Sequence, residues 1–456
     1  MNAKNGRNIY QVKIYAVCSI LLFLILAIGT LRETSRKLPQ LAMNTEASTS
    51  LKTRLFKKQS PENPHPSSKK RDYIKTSLWQ KGMRIYRDWW TKRQTAIYVA
   101  EMDRDAPNLR FGAGLSNNRT LGRETISSMA RRWAASGVPI LAAVNAGFGI
   151  RQDGRGRGGM FFNLHIQDWE LISIPPRRNR WGYSPPSEWG ETCFGVTVDG
   201  EYLMDAVQLN GIIRIDGEDL KVGCINQICD SACQTVIYTP RFGPQTLTRS
   251  NYEITLTELK LPLTGKYRSR FVIDRVNRNG NSTIPRQGIV LSLDRRLTRI
   301  WNKFVEGATG ELNIALLPTK WQQVRDGMGG DIRLLRDGKI EPELVEFHRT
   351  RGGSSPNYRN GTSLHPRSAM GFNDEKLFLM AIDGRQRGYS MGMTFYEMAE
   401  FFQDLGVKNA INLDGGSSST LWGLGGVINR PSHGYERRVF NIAAIVPRKD
   451  GKHKRR

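Results

Sequence analysis

The sequence predicts an α+β fold: a single mixed, β-sheet-rich domain with a few packed helices and a parallel β-α-β unit near the C-terminus, preceded by one N-terminal transmembrane helix. Three features predict it, namely short apolar runs between Gly, Pro, Asn and Asp residues, two segments of helical periodicity, and an uncharged stretch at residues 14–31. Short punctuated runs are typical of strands. A sheet with a small number of helices is therefore expected.

The uncharged stretch at residues 14–31 approaches the length of about 20 mostly apolar residues that a transmembrane helix needs. Lys4, Arg7 and Lys13 precede it, and a short basic N-terminus favours a cytoplasmic start with the rest of the chain exported. Cleavage near Ala27-Ile28-Gly29, as in a signal peptide, is the competing interpretation. We expect residues 1–13 in the cytoplasm, an uncleaved signal anchor at 14–31, and an extracytoplasmic remainder, periplasmic or at the cell surface.

The formal charge of the 456-residue chain is +26, and its distribution is uneven. Residues 1–93 contain 19 basic and five acidic residues, so +14 lies there and +12 in the rest. The basic, Pro- and Ser-containing residues 32–93 predict a solvated stalk, which is drawn to anionic lipid or wall polymer. The sequence contains no basic segment interleaved with aromatic residues, which is the pattern that would indicate nucleic acid as a partner.

Four cysteines follow the apolar stretch, at Cys193, Cys224, Cys229 and Cys233. In an oxidising compartment they allow three pairings, and we expect at least one disulfide. A zinc site at the last three fits less well, because zinc sites prefer a closer Cys pair with a second pair downstream.

Residues 94–447 have the texture of one folded domain, and residues 448–456 form a basic tail. Apolar runs predict strands at residues 95–100, 140–144, 193–198, 234–238, 252–256, 288–293, 312–317, 377–382, 410–413 and 441–446. Helices are predicted at 123–135, where an apolar face ends before Gly137, and at 395–405, where Thr394 and Glu397 form a capping box.

Two predicted strands near the C-terminus end in Asp-Gly pairs, Asp383-Gly384 and Asp414-Gly415. The strand, helix, strand order between them suits a right-handed crossover between parallel strands, which would place both aspartates at one edge of the sheet. Adjacent strands lie about 4.8 Å apart, and an intervening strand would double that spacing. Both separations lie within the range of glycosidase carboxylate pairs, about 5 Å for retention and about 6.5 to 9.5 Å for inversion.

The loops after these strands also suit an anion. Gly415-Gly416 exposes backbone N–H groups that can cradle a phosphate, and Arg385 adds a fork-shaped charged donor. Asp-Gly pairs are equally common turn formers, and on pattern alone structural turns are the favoured interpretation. Gly329-Gly330 before Asp331 is likewise interpreted as a bulge or tight turn.

Four histidines, His165, His348, His365 and His433, are scattered along the domain. We expect surface or capping roles for them.

Four segments, in this order and spacing, resemble the catalytic domain of the phosphodiester glycosidase family: His365-Pro366-Arg367-Ser368-Ala369-Met370-Gly371, Asp383-Gly384-Arg385, Ser390-Met391-Gly392-Met393-Thr394, and Asn412-Leu413-Asp414-Gly415-Gly416-Ser417-Ser418. The resemblance extends to Asn145-Ala146-Gly147-Phe148 and to Glu436-Arg437, and covers roughly residues 95–447 as one domain. Gly149 and Asp331-Ile332-Arg333 depart from the family pattern, and the second departure puts a charged pair beside the expected pocket.

The resemblance implies hydrolysis of the glycosidic bond of a sugar-1-phosphodiester, in envelope or exopolysaccharide-related material. It implies Asp414, Asp383 and Glu436 as catalytic candidates, and as substrate or phosphate ligands Asn145, Arg367, Arg385, Asn412, Gly415, Gly416 and Ser417. No cofactor is demanded, and a divalent cation beside the carboxylates stays open. The alternative function is a non-catalytic, membrane-anchored factor that binds or assembles anionic polysaccharide.

Overall fold

The computed structural model describes residues 72–74, 81–90, 92–150, 158–176, 191–227, 234–350 and 359–448. The chain divides into two compact units, Met1–Pro64 and His65–Arg456. The first unit, with the predicted signal anchor at 14–31, lies outside the described residues. Within the described ranges, no helix combines the length and the apolar character that a membrane span requires.

The described part of the second unit is built mainly from strands. In chain order they are β1 (Asp72–Ile74), β2 (Met83–Trp90), β3 (Thr95–Asp103), β4 (Leu109–Leu115), β5 (Ala142–Asn145), β6 (Gly149–Ile150), β7 (Met160–Phe161), β8 (His165–Gln167), β9 (Glu170–Ser173), β10 (Thr192–Thr197), β11 (Tyr202–Ala206), β12 (Gln208–Ile215), β13 (Glu218–Val222), β14 (Cys224–Ile225), β15 (Thr235–Tyr238), β16 (Tyr252–Thr257), β17 (Lys266–Asn277), β18 (Ile289–Leu293), β19 (Thr309–Leu317), β20 (Val324–Gly329), β21 (Arg333–Arg336), β22 (Lys339–Ile340), β23 (Arg367–Phe372), β24 (Lys376–Ile382), β25 (Asn409–Asn412), β26 (Leu421–Gly423), β27 (Gly426–Val427) and β28 (Asn441–Pro447). The α-helices are α1 (Ile126–Ala135), α2 (Pro342–Arg349), the one-turn α3 (Arg359–Thr362) and α4 (Phe395–Asp404).

Four sheets of five or more strands contain all of these strands except β6 and β7, which pair with each other in a two-stranded sheet. Their orders are β1-β2-β3-β24-β23-β25-β21-β22, β13-β12-β19-β17-β16-β18-β15-β14, β11-β10-β20-β8-β9 and β27-β26-β5-β28-β4. Helix α4 packs its buried face, with Met398 and Phe402, on the first sheet. A separate hydrophobic core includes the buried side chains of the second sheet. Strand β2, in the segment predicted as stalk, belongs to the first sheet through its ladder with β3.

The predicted α+β class is wrong, because the described residues are mostly antiparallel sheet. Strands β24 and β25 do run in the same direction, but they do not pair with each other. Strand β23 lies between them and is antiparallel to both. Helix α4 therefore connects two parallel strands across an intervening strand, which is one of the two arrangements that the sequence left open.

The structure confirms the two predicted helices. They could be predicted because their signals are local in the sequence. Helix α4 begins after Thr394, and the capping box with Glu397 is formed. Helix α1 begins at Ile126, three residues later than predicted, because the Thr125 side chain accepts a hydrogen bond from the Ser128 amide as its N-cap. Each of the ten predicted strands overlaps a strand of the structure.

The predicted disulfide has no support in the described residues. Cys193 is a free, buried thiol, and burial raises its pKa far above the usual value. Cys224 is buried in β14, whereas Cys229 and Cys233 lie outside the described residues.

Candidate active site

The two Asp-Gly turns pack against the same residue, Pro366, which directly precedes β23. A Cβ atom on Gly384 would lie 2.5 Å from the Pro366 amide nitrogen, and one on Gly415 would lie 3.0 Å from the Pro366 carbonyl oxygen. The Pro366 carbonyl also accepts a 2.7 Å hydrogen bond from the Gly416 amide. Glycine is therefore required where the turns approach this backbone, and both aspartates lie at one edge of the first sheet.

Asp383 follows β24 and is buried, with 1% of its surface exposed. Its carboxylate accepts hydrogen bonds from Asn429 Nδ2 at 2.8 Å, Tyr389 Oη at 3.0 Å and the Arg430 amide at 3.0 and 3.1 Å. Burial raises the pKa of Asp383 to about 6, although these hydrogen bonds act in the opposite direction. Both carboxylate oxygens are occupied, so this predicted catalytic residue holds the loop at residues 429–430.

Asp414 follows β25 and is half-buried. Its amide donates to the Ala146 carbonyl at 2.7 Å, and its carbonyl accepts a hydrogen bond from Asn145 Nδ2. Asn145 Oδ1 in turn accepts hydrogen bonds from Ser368 Oγ at 2.7 Å and the Thr420 amide at 3.0 Å. Buried Asn145 is therefore a support that fixes the backbone of Asp414, and it does not face solvent as a sugar ligand would.

Asn412, at the end of β25, is also buried. Its Nδ2 donates to Asp331 Oδ2 at 3.2 Å, while the Asp331 amide donates to the Asn412 carbonyl at 3.1 Å. Arg333 points elsewhere, to the Met204 carbonyl and to Asn409. Of the charged pair that departs from the family pattern, only Asp331 lies beside the site.

Arg367, the first residue of β23, is 5% exposed. Its guanidinium donates to the carbonyls of Met393 and Ser363, both at 3.0 Å, and lies 4.3 Å from the ring centroid of Phe395. Burial, followed by the charge of Arg385, lowers the pKa of Arg367 to about 9. These contacts make Arg367 a brace between loops and α4, and they turn its guanidinium toward the protein interior.

Arg385, in contrast, is exposed. Its Nε and Nη2 lie 3.3 and 3.2 Å from Nδ1 of His365. A Cβ atom on Gly416 would lie 3.5 and 3.6 Å from Arg385 Nη2 and Nη1, so the guanidinium stands beside the glycine loop that follows Asp414. An exposed, charged fork beside a glycine that has no side chain to block approach is suited to binding an anion.

A second arginine, Arg437, contacts the same loop, and its Nη1 donates to Ser417 Oγ. Ser417 lies in the short 3₁₀ turn Gly416–Ser418. Glu436, half-buried, accepts a 3.2 Å hydrogen bond from the Ser127 amide in the first turn of α1. Its negative charge suits the positive end of a helix, so the structure gives Glu436 a capping contact, separate from the two aspartates.

The structure thus gathers Asp383, Arg367, Asn412, Asp414 and the glycine loop at one sheet edge, with Asn145 beneath. Sequence reasoning missed His365 and Arg437, which contact the predicted residues Arg385 and Ser417; their positions inside the quoted motifs were the available signal. Among the described residues, no three His, Cys, Asp or Glu side chains cluster as ligands of a metal ion.

The fold and the site define a β-sheet domain with an arginine-rich, carboxylate-bearing edge that suits phosphorylated ligands. The model of the phosphodiester glycosidase family matches one segment of the chain, residues 267–446. All predicted site residues except Asn145 lie inside it.

Known proteins resemble the chain over shorter or more divergent stretches. The N-acetylglucosamine-1-phosphodiester alpha-N-acetylglucosaminidase of Mus musculus is 36% identical over 110 residues, which are 23% of this chain and 20% of the mouse protein. A SPbeta prophage-derived protein of Bacillus subtilis (strain 168) is 36% identical over 103 residues, 22% of this chain and 16% of that protein. The chain therefore matches a fifth or less of the length of these curated relatives.

A crystal structure of a hypothetical protein from Synechocystis has a similar fold, with a TM-score of 0.64 at 19% identity. The alignment covers 84% of this chain and 64% of the other. At this identity the likeness concerns the fold alone.

Proposed function

We propose that the chain is a hydrolase that cleaves the glycosidic bond of a sugar-1-phosphodiester. The carrying observation is the exposed Arg385 guanidinium beside Gly416, on the loop that begins with Asp414. In this proposal Arg385 binds the phosphate. The half-buried Asp414 supplies the negative charge that the positively charged, oxocarbenium-like transition state of a glycosidase requires. Phosphate is already a good leaving group, so the buried Asp383 need not act as a general acid.

The test is a screen of the purified full-length protein against glycosyl phosphodiesters, beginning with an N-acetylglucosamine-1-phosphodiester because the mouse relative is named for it. Free sugar is the product measured, with a chelator in parallel samples. We expect Arg385→Gln to lower kcat/KM at least about tenfold, because a charge-assisted contact to phosphate is lost. Arg387→Gln, an exposed neighbour, is the matched control and should leave kcat/KM unchanged.

Binding without cleavage is the second candidate function. This candidate is supported by the internal hydrogen bonds of Asp383 and Glu436, two of the predicted catalytic residues. Tight binding of an anionic glycan polymer, without released sugar from any phosphodiester in the screen, would decide for this candidate and against the hydrolase.

We also propose that the domain acts outside the cytoplasm on envelope or exopolysaccharide material. The support is the uncharged residues 14–31 after a basic N-terminus, which suit an export signal. A fusion of residues 1–80 to alkaline phosphatase, an enzyme active only after export, should be active in cells; an inactive, stable fusion would contradict export.

A further inference from the structure

We propose that His365 positions Arg385 for an anionic oxygen, by accepting hydrogen bonds from the Nε and Nη2 groups of its guanidinium. This inference rests on the proposed function, because it names the residue that aims the phosphate-binding arginine. In the sequence, His365 stands inside one of the family motifs, but no role at the site was predicted for it.

The backbone fixes both ends of this contact. His365 and Met393 form an antiparallel bridge, with N···O distances of 3.3 and 3.0 Å, and the Arg385 amide donates to the Met391 carbonyl at 3.3 Å. Arg385 has a φ of 59°, in the left-handed region that non-glycine residues seldom adopt. The backbones of His365 and Arg385 are therefore both hydrogen-bonded to one segment, residues 391–393. The left-handed φ of Arg385 further restricts the direction in which its side chain points.

The partner of Arg385 is unusual for an arginine of this protein. Arg132, Arg241 and Arg336 are each paired with a glutamate at 2.7 to 2.8 Å. Among the described residues, Arg385 forms no such ion pair, and its acceptor is a histidine nitrogen. A neutral acceptor orients a guanidinium as a carboxylate does, but leaves its positive charge available to a ligand.

The environment keeps this histidine neutral. His365 lies between Arg367 and Arg385, and partial burial followed by these two charges lowers its pKa to about 4. A nitrogen that accepts hydrogen bonds must carry no proton, so Nδ1 holds the lone pair and Nε2 holds the proton. At neutral pH the contact is thus maintained without adding or cancelling charge.

Within the part of the chain that the structure describes, the guanidinium of Arg385 forms hydrogen bonds with His365 alone. Of its five N–H groups, those on Nε and one on Nη2 face His365, which leaves the Nη1 pair and the second Nη2 hydrogen. Gly416 has a φ of 66° and no side chain in front of this edge. An anionic oxygen can therefore approach Arg385 at the point where the loop after Asp414 begins.

The test measures binding of inorganic phosphate to the full-length protein by calorimetry, using two isosteric variants. In His365→Asn, Oδ1 takes the place of Nδ1 as a neutral acceptor; in His365→Asp, a carboxylate of the same shape neutralises Arg385. We expect Asn to keep the dissociation constant within about threefold, and Asp to raise it about tenfold or more, since a charge-assisted contact is lost. A merely structural role would tolerate Asp at least as well as Asn, because Asp forms the stronger pair with arginine.

Two further variants sharpen the test. On an Arg385→Gln background, His365→Asp should change phosphate affinity less than twofold, since its effect passes through Arg385. His348→Ala, at an exposed histidine of α2, is the control and should behave as the wild type. Equal affinities of the Asn and Asp variants, or no phosphate binding by the wild type, would overturn the inference.

The outcomes separate this inference from the proposed function. Phosphate binding that depends on His365, without sugar release from any phosphodiester, would contradict the hydrolase and leave the inference standing. Sugar release, with phosphate affinity insensitive to His365→Asp, would support the hydrolase and overturn the inference.

Discussion

The two Asp-Gly turns at the candidate site have the same sequence pattern and the same proline against them, yet they differ in what surrounds the carboxylate. Asp383 is enclosed, and three donor groups occupy both of its oxygens. Asp414 is half-buried and has its backbone, through the Ala146 carbonyl and Asn145, held from below. The two turns therefore differ in burial, with Asp383 buried and Asp414 half-buried.

This difference teaches that a carboxylate with a raised pKa is not by that fact catalytic. The pKa of Asp383 is raised to about 6 by burial, a value that would suit an acid catalyst. A catalytic acid must also reach its substrate, and among the described residues the Asp383 carboxylate is hydrogen-bonded to Asn429, Arg430 and Tyr389. We therefore expect Asp383 to stabilise the fold, and we place the proposed chemistry at Asp414.

The largest expected effect is on turnover at the second turn. Asp414→Asn should lower the rate of sugar release by about 10² to 10⁴-fold, as loss of a catalytic carboxylate does, while the unfolding midpoint stays close to that of the wild type. Rates of hydrolysis and thermal unfolding are measured on the same preparation. Undiminished turnover would remove Asp414 from the mechanism and erase the distinction between the turns.

The next effect is on stability at the first turn. Asp383→Ala should lower the free energy of unfolding by about 3 kcal/mol at neutral pH, because it leaves the Arg430 N–H and one Nδ2 hydrogen of buried Asn429 without an acceptor. Urea unfolding gives this value. A variant as stable as the wild type, but inactive, would instead show that Asp383 takes part in chemistry.

Elements whose signals lie close together in the sequence were predicted correctly. Features that depend on residues far apart in the sequence were missed. Helix α4 was found because Thr394, Glu397 and the apolar face lie within a few turns. Strand β23 was missed because its residues, Arg-Ser-Ala-Met-Gly-Phe, contain no β-branched side chain and do not alternate, being buried throughout. That strand separates β24 from β25, so the sheet topology changed with it.

The roles within the site were hidden for the same reason. Asp383 is held by Asn429 and Arg430, 46 and 47 positions away, and Asn145 meets Ser368 across 223 positions. No local pattern states which of two identical Asp-Gly pairs will be enclosed. The family resemblance identified the sheet edge where the site lies. The packing of the structure was needed to tell buried, structural residues there from more exposed ones.

A smaller effect compares the two glycines. Gly384→Ala should destabilise the protein by about 2 kcal/mol, since its Cβ would overpack against backbone at 2.5 Å from the Pro366 nitrogen. Gly415→Ala, at 3.0 Å from the Pro366 carbonyl oxygen, should cost less. Urea unfolding of both variants checks the order, and a reversed order would contradict the close approach of the first turn.

The smallest effect is the pH dependence that Asp383 gives to stability. Its folded pKa of about 6 lies above the value of 3.8 for an unperturbed group, so the folded state binds the proton more tightly than the unfolded state. The resulting stabilisation is greatest below pH 4 and is lost as the pH rises through 6. Protonation is accommodated because the Tyr389 hydroxyl, 2.9 Å from the Tyr98 hydroxyl, can donate there and accept from Asp383.

Relative to Asp383→Asn, which cannot titrate, the wild type should therefore lose about 1 kcal/mol of unfolding free energy between pH 5 and pH 7. Urea unfolding of both proteins across this range measures the difference, in which the titrations common to both cancel. Parallel curves would mean that Asp383 stays ionised throughout, held by its donors against the effect of burial. The first turn would then hold an ionised carboxylate through its hydrogen bonds, and the two turns would differ only in how exposed their aspartates are.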